Sequence, residues 1–212
     1  MLPLPNLLAF LAAATVLVIM PGPTVLFVIG RSLSLGRRGG LLSVLGNAMG
    51  LVPIIVAVAF GVGALIAQSA VVFAIIKYAG AAYIVYLGVQ AIRHRRRTAE
   101  SITGGVSRKS TRRMLGEGFL VGVSNPKTIA FFLAVLPQFV APQAGWVPGQ
   151  LLLLGGIFVV LALLSDGGWA LAAGSARDWF AKAPRRVERL GTTGGVMMMG
   201  LGGVLAHTGS EK

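Results

Sequence analysis

This chain of 212 residues contains six apolar stretches, each about as long as a membrane-spanning helix. A helix crosses the hydrocarbon core of a bilayer with about 20 apolar residues. The mean hydropathy is +0.82 and 12% of the residues are charged, whereas soluble proteins carry about 25%. We therefore predict an all-α, polytopic membrane protein with spans near Leu7–Ile29, Leu41–Ile66, Ala70–Ile92, Leu115–Val140, Gly149–Ala173 and Leu190–His207.

The N-terminal apolar stretch is interpreted as a retained span. No basic residue precedes it, whereas a secretory signal peptide has a basic region before a shorter apolar core. The chain is expected to form one integral membrane domain, 1–212. Its two halves, about 1–92 and 114–207, are joined by a basic linker at 93–113 that is rich in Ser, Thr and Gly.

Lysine and arginine are gathered in alternate connections between the spans. Short connections rich in these residues stay in the cytoplasm. The first, third and fifth connections hold sixteen of the nineteen, and the second and fourth hold none. We therefore predict that both termini lie outside, and that the net charge of +13 is a topology signal with no nucleic acid as partner. The basic residues are Arg31, Arg37 and Arg38 in the first connection, Arg93, Arg95, Arg96, Arg97, Arg108, Lys109, Arg112 and Arg113 in the third, and Arg177, Lys182, Arg185, Arg186 and Arg189 in the fifth.

A proline break interrupts the first span of each half. The first is Pro21-Gly22-Pro23, and the second is Asn125-Pro126-Lys127. Three spans per half reverse the direction of the second half, so the repeat is expected to be inverted. Interrupted helices at matching places of inverted halves point to the central site of a transporter. The alternative is a pair of simple kinks.

Each break is expected to free a backbone carbonyl. Proline has no N–H and clashes with the carbonyl four residues back, which is that of Ile19 for Pro23 and that of Gly122 for Pro126. These groups need partners within the protein, since lipid offers none. Glycine pairs at four-residue spacing are assigned to close helix packing: Gly46/Gly50, Gly118/Gly122 and Gly191/Gly195.

Few ionisable or amide side chains fall inside the spans, and such groups are functional candidates. Asp166 is the one carboxylate well inside a predicted span, and Lys127 follows the second break. Asn47 and Asn125 serve either as ligands or as hydrogen bonds between helices. Asp166 and Lys127 could equally be structural partners. Together, these groups would suit a zwitterionic amino acid. The Lys127 ammonium and the helix N-termini would bind its carboxylate, and the Asp166 carboxylate and the freed carbonyls would bind its ammonium.

Three stretches make the chain resemble the LysE/RhtB family of amino-acid exporters. They are MPGPTVLFVIGRSLSLGRRGGLLSVLGNAMG from Met20, KYAGAAYIVYLGVQAIR from Lys77 and GFLVGVSNPKTIAFFLAVLPQF from Gly118. The resemblance implies a six-span exporter of the bacterial inner membrane, driven by proton antiport. Its cargo would be lysine, threonine, homoserine or homoserine lactone. Matched by position, the substrate-binding candidates are Pro21, Gly22, Pro23, Asn125, Pro126 and Lys127.

The residues themselves add Asn47 to the binding candidates and Asp166 as the proton-coupling group. A carboxylate that alternates between wet and dry surroundings can take up and release a proton. No nucleotide-binding loop is present in the sequence, and no cofactor is expected. The oligomeric state, including a homo-oligomer, is left open.

Two other functions remain as alternatives. A metal or other ion exporter of similar architecture would normally use several intramembrane carboxylates or histidines, and only Asp166 lies well inside a predicted span. An intramembrane enzyme would need a nucleophile with a nearby base. Neither of the chain's two histidines is placed to serve Ser165 or Ser175, so we expect no enzyme.

Overall fold

A computed structural model describes residues 2–62, 70–96, 110–176 and 184–207. Within these ranges the chain is helical and contains no strand, which confirms the all-α class. The seven α-helices are α1 (Leu4–Ile19), α2 (Pro23–Ala57), α3 (Ala70–Arg93), α4 (Thr111–Val123), α5 (Pro126–Ala134), α6 (Val147–Ser175) and α7 (Pro184–His207). A π-helical segment, Val58–Val62, continues α2, and two 3₁₀ turns, Leu136–Phe139 and Pro142–Ala144, connect α5 to α6.

Two helices in the described ranges are long and apolar enough to cross a membrane by themselves. They are Pro23–Gly61 and Val147–Ser175. A third span results if Thr111–Val123 and Pro126–Phe139, which are bent by 44° at the second break, are counted as one. The larger number of six spans stays a prediction.

Both predicted proline breaks interrupt a helix. Helix α1 ends at Ile19 and α2 starts at Pro23, and α4 ends at Val123 before α5 starts at Pro126. Each proline occupies the first turn of the new helix, where its missing N–H would have had no partner within the helix. The prolines therefore start helices rather than kink them.

The first basic connection is a sharp bend within α2. Gly36 adopts φ 73°, a region that residues with a Cβ rarely enter. A Cβ on Gly40 would lie 3.2 Å from the Cβ of Ser32, although eight residues span about 12 Å along a straight helix. The chain thus folds back at Gly36. The first basic connection is therefore helical on both sides of this glycine.

The second part of α2 packs against α4 through glycines. A Cβ on Gly46 would overlap the backbone of Leu115, and one on Gly118 would overlap the carbonyl of Ser43. Gly50 meets Phe119 and Gly122 meets Asn47 in the same way. Small residues at four-residue spacing permit this close approach, so the predicted packing role of these two pairs is confirmed. Gly195 of the third pair lies against Gly88, which joins α7 to α3.

An ion pair near the bend adds a polar contact between α2 and α4. The Arg31 guanidinium bonds the Glu117 carboxylate and lies 4.9 Å from the centroid of the Phe27 ring. Arg113 bonds the other oxygen of Glu117 at 3.1 Å, one helical turn away. Arg31 and Glu117 are largely buried, so the pair fixes α2 against α4 on the side of the basic residues.

The principal core contains a cluster of aromatic rings. Phe158 of α6 packs edge-on against Phe132, with 4.9 Å between the ring centroids, and tilted against Phe131, with 5.3 Å between them. Phe10 of α1 contacts both Phe131 and Phe139. These rings hold α1, α5 and α6 together, and they fix the walls around the two breaks.

Candidate functional site

The carbonyl groups at the end of α1 are bonded by side chains from distant parts of the chain. The ammonium of Lys127 donates to the carbonyls of Leu17 at 3.0 Å and Met20 at 3.1 Å. Ser165 of α6 donates to the carbonyl of Val18 at 3.1 Å. A helix C-terminus carries partial negative charge, which a cation stabilises. The carbonyls at the first break are therefore hydrogen-bonded by Lys127, which follows the second break, and by Ser165 of α6.

Lys127 itself is buried, with 5% of its surface exposed. Its ammonium has three N–H donors, and the two carbonyls account for two of them. A Cβ on Gly22 would lie only 3.1 Å from the Lys127 nitrogen. Glycine at this position gives the lysine side chain room to cross the first break.

The carbonyl predicted to be freed at the second break has a partner. The N–H of Asn125 donates to Gly122 O at 3.3 Å, because the chain turns after α4 instead of continuing as a helix. The Gly122 carbonyl, which has no helical partner at Pro126, thus finds one within the protein, as expected. At the first break, the carbonyls that the lysine and serine satisfy are those of Leu17, Val18 and Met20.

Asn125 joins the two breaks. Its side-chain oxygen accepts from the N–H of Lys127 at 3.1 Å and caps α5. Its amide nitrogen donates to the hydroxyl of Thr24 in the first turn of α2. Both polar atoms of this buried side chain thus contact other parts of the protein, which is an arrangement that positions α5.

Asp166 and Asn47 form a buried polar contact between α6 and α2. The Asn47 amide nitrogen donates to the Asp166 carboxylate at 3.3 Å. Asp166 is 5% exposed and Asn47 is 4% exposed. The side-chain oxygen of Asn47 is buried and has no hydrogen-bond partner. An unbonded buried acceptor beside a carboxylate suits a ligand that donates hydrogen bonds.

One cavity connects these groups. Its polar lining comprises Thr24, Asn47, Asn125, Lys127, Thr128 and Asp166, and its apolar lining comprises Val18, Val25, Leu51, Phe158 and Ala162. The ion pairs found within the described ranges do not join Lys127 to Asp166, so the opposite charges share the cavity without a direct bond.

The cavity is small in this conformation. The centre of a water-sized sphere can reach about 20 Å³ of it, which is room for about one water molecule. An amino acid would need the walls to move apart. In this conformation the site is therefore too narrow for an amino acid.

Four of the eight candidate site residues line this cavity: Asn47, Asn125, Lys127 and Asp166. The others shape the backbone around it. Pro21 and Gly22 are buried in the first break, Pro126 is half-buried at the start of α5, and Pro23 is exposed on the outer surface. Pro21 also carries the carbonyl that a side chain on Gly194 of α7 would overlap.

Seven lining residues were not predicted from the sequence, among them Thr24, Thr128 and Phe158. The two threonines lie in the first turn of the helix that starts after each break, one residue after Pro23 and two after Pro126. That position is a usable signal, because the first turn after a break faces the same cavity as the break. Phe158 lies within an apolar run that offers no comparable signal.

The described ranges contain no group of three or more His, Asp or Glu side chains placed to hold a metal ion. The site combines one cation, one carboxylate and two amides. That set can bind a ligand with both charges, and it lacks the concentration of oxygen ligands that hard divalent cations use.

Comparison with known proteins places the chain among transporters. The model of the LysE type translocator family matches residues 15–209. An uncharacterized membrane protein of Vibrio cholerae is 38% identical over 94% of this chain and 95% of its own length. The homoserine/homoserine lactone efflux protein of Salmonella typhi is 33% identical over 93% of this chain and 94% of its own length. No solved structure matches. The chain thus belongs to the family of LysE type translocators and is a membrane transport protein, not an enzyme.

Proposed function

We propose that this chain exports a small zwitterionic amino acid of the homoserine type from the cytoplasm in exchange for a proton. The observation that carries the proposal is the cavity in which the Lys127 ammonium and the Asp166 carboxylate face the same space between two interrupted helices. A homoserine/homoserine lactone efflux protein is among the relatives. Threonine and lysine stay in the panel of cargos to test.

The carboxylate of the cargo is assigned to Lys127. Its third N–H is not used by the carbonyls of Leu17 and Met20. A hydrogen bond between charged partners stabilises a complex by about 1.5–3 kcal/mol. The first-turn amides of α2 and α5, which start at the two breaks, add partial positive charge on the same side.

The ammonium of the cargo is assigned to Asp166 and Asn47. The carboxylate supplies the charge, and the unbonded oxygen of Asn47 supplies a second acceptor. The wall formed by Val25, Leu51 and Phe158 would meet a short side chain. This wall limits cargo size, because it can enlarge the cavity only by moving packed helices.

Asp166 is also the proposed proton carrier. When the site opens to the outside, cargo leaves and the wetted carboxylate takes up a proton; when it opens to the cytoplasm, the proton is released and cargo binds. Cargo and proton thus compete for one carboxylate. This competition couples their opposite movements.

The supporting topology has six spans in two inverted halves, with the basic connections in the cytoplasm and both termini outside the bacterial inner membrane. The distribution of arginine and lysine supports it. An ion exporter finds less support, since the described ranges lack a metal-binding cluster.

Everted membrane vesicles test the proposal. Energising them acidifies the lumen, so vesicles containing the chain should accumulate labelled homoserine, and an uncoupler should abolish the accumulation. Vesicles without the chain are the control. If a panel of amino acids and homoserine lactone shows no accumulation with well-inserted protein, the proposal is wrong.

A further inference from the structure

A closed ring of hydrogen bonds joins the two proline breaks and depends on one hydroxyl. Thr24 lies directly after Pro23 and is 5% exposed. Its oxygen accepts a hydrogen bond from the side-chain amide of Asn125, 101 residues away. This bond fixes the first turn of α2 to the residue that caps α5.

The ring continues through the backbone and side chain of Lys127. The oxygen of Asn125 accepts from the Lys127 N–H at 3.1 Å. The Lys127 ammonium then returns to the first break and donates to Met20 O at 3.1 Å. The short stretch of chain from Met20 to Thr24 closes the ring. Residues of the first break therefore position Lys127 at both its backbone, through Thr24 and Asn125, and its ammonium, through Met20.

We propose that Thr24 is a positioning residue for Lys127 and that, through Lys127, it selects cargo that carries a carboxylate. The inference rests on the proposed function, because it assigns the cargo carboxylate to the Lys127 ammonium. Thr24 acts by holding Asn125, and with it the start of α5, in the position from which the Lys127 side chain lines the cavity.

The hydroxyl matters because the ring is buried. Valine has nearly the shape of threonine but cannot accept a hydrogen bond. It would leave the amide nitrogen of Asn125 without this partner, and a buried donor without a partner costs free energy. Movement of Asn125 toward another acceptor would carry the N-terminus of α5, and thus Lys127, out of register.

Comparing two cargos distinguishes a role in carboxylate recognition from a general structural role of Thr24. Homoserine has a free carboxylate, whereas in homoserine lactone that group is closed into the ring, and both carry an ammonium. We expect Thr24→Val to raise the ratio of the KM for homoserine to the KM for the lactone about tenfold, the effect of weakening one charged hydrogen bond. Thr24→Ser keeps the hydroxyl and should restore the wild-type ratio.

The matched control is Thr193→Val, the same substitution at an exposed position of α7, which should leave the ratio unchanged. Amounts of inserted protein are measured for each variant. If Thr24→Val inserts poorly, Thr24→Ala removes the hydroxyl together with the methyl group and should raise the same ratio.

Equal changes in the KM for both cargos, or an unchanged ratio in the valine and alanine variants, would overturn the role of Thr24. Wild-type protein that moves neither cargo would instead overturn the proposed function. The two failures are therefore distinguishable in one series of measurements.

Discussion

The ammonium nitrogen of Lys127 lies 3.0 Å from the carbonyl oxygen of Leu17, a residue 110 positions earlier in the chain. A side chain from the second break thus donates a hydrogen bond to the end of α1, the helix that precedes the first break. Any movement that separates the two breaks must also break this bond. The lysine therefore links the geometry of the site to the relative position of the two halves.

Replacing Lys127 should affect carboxylate-bearing cargo most. Lys127→Met removes the ammonium and keeps an unbranched side chain, so we expect homoserine export to fall more than about tenfold and lactone export to fall less. Loss of the bonds to Leu17 and Met20 should also lower stability by about 1–3 kcal/mol. Initial rates in everted vesicles measure the first effect and melting in detergent the second. Arg38→Met, at an exposed site, is the control, and unchanged homoserine export by Lys127→Met would contradict the assignment.

Replacing Asp166 should uncouple export from the proton gradient. Asp166→Asn retains the shape and the contact with Asn47, but the amide cannot exchange a proton. Accumulation against a gradient should be lost, whereas exchange of labelled for unlabelled cargo across the membrane should persist at reduced affinity. Glu188→Gln on α7 provides a carboxylate control. If the Asp166→Asn variant still accumulates cargo and that accumulation collapses with an uncoupler, Asp166 is excluded as proton carrier.

The glycine contacts between α2 and α4 offer a matched pair of substitutions. A Cβ on Gly122 would overlap the carbonyl of Asn47, whereas one on Gly116 of the same helix meets open space. Gly122→Ala should therefore destabilise the protein by about 1–3 kcal/mol and displace Asn47. Gly116→Ala should be neutral or stabilise by up to about 1 kcal/mol. Melting temperatures in detergent, with transport assays alongside, compare them; equal effects of the two substitutions would contradict the proposed packing.

Cysteine labelling should settle the orientation, since the chain contains no cysteine. Gln143→Cys, at an exposed position between α5 and α6, should react with a membrane-impermeant maleimide added outside intact cells. Arg38→Cys, exposed beside the bend in α2, should react only after the cells are opened. The reverse pattern would invert the predicted topology.

The sequence predicted the parts of the site that depend on local chemistry. The breaks at Pro23 and Pro126 follow from the missing N–H of proline, and the packing of Gly46 and Gly118 follows from their spacing on helices. Asp166 and Asn47 were identified because polar side chains inside apolar runs need partners. The structure shows that both line one cavity with Lys127.

The bonds between the two halves could not be predicted from the sequence. The proline rule identified the Gly122 carbonyl as a group that needs a new partner, but not that a turn after α4 would make the N–H of Asn125 that partner. The partner of Lys127 depends on the position of α1 beside α5, which is a matter of tertiary packing. Thr24 was missed for the same reason, since its partner is 101 residues away. The bend at Gly36 depends on one φ angle, and glycine permits that angle without requiring it.

The narrowness of the cavity has a consequence for energy conservation. A carrier that works against a gradient must not let ions flow through it while it is idle, because each such leak dissipates the gradient. The cavity beside Asp166 has room for about one water molecule, and the rings of Phe131, Phe132 and Phe158 pack against one another in the neighbouring core. For the antiport proposed above, such packing would limit the leak of protons between transport cycles.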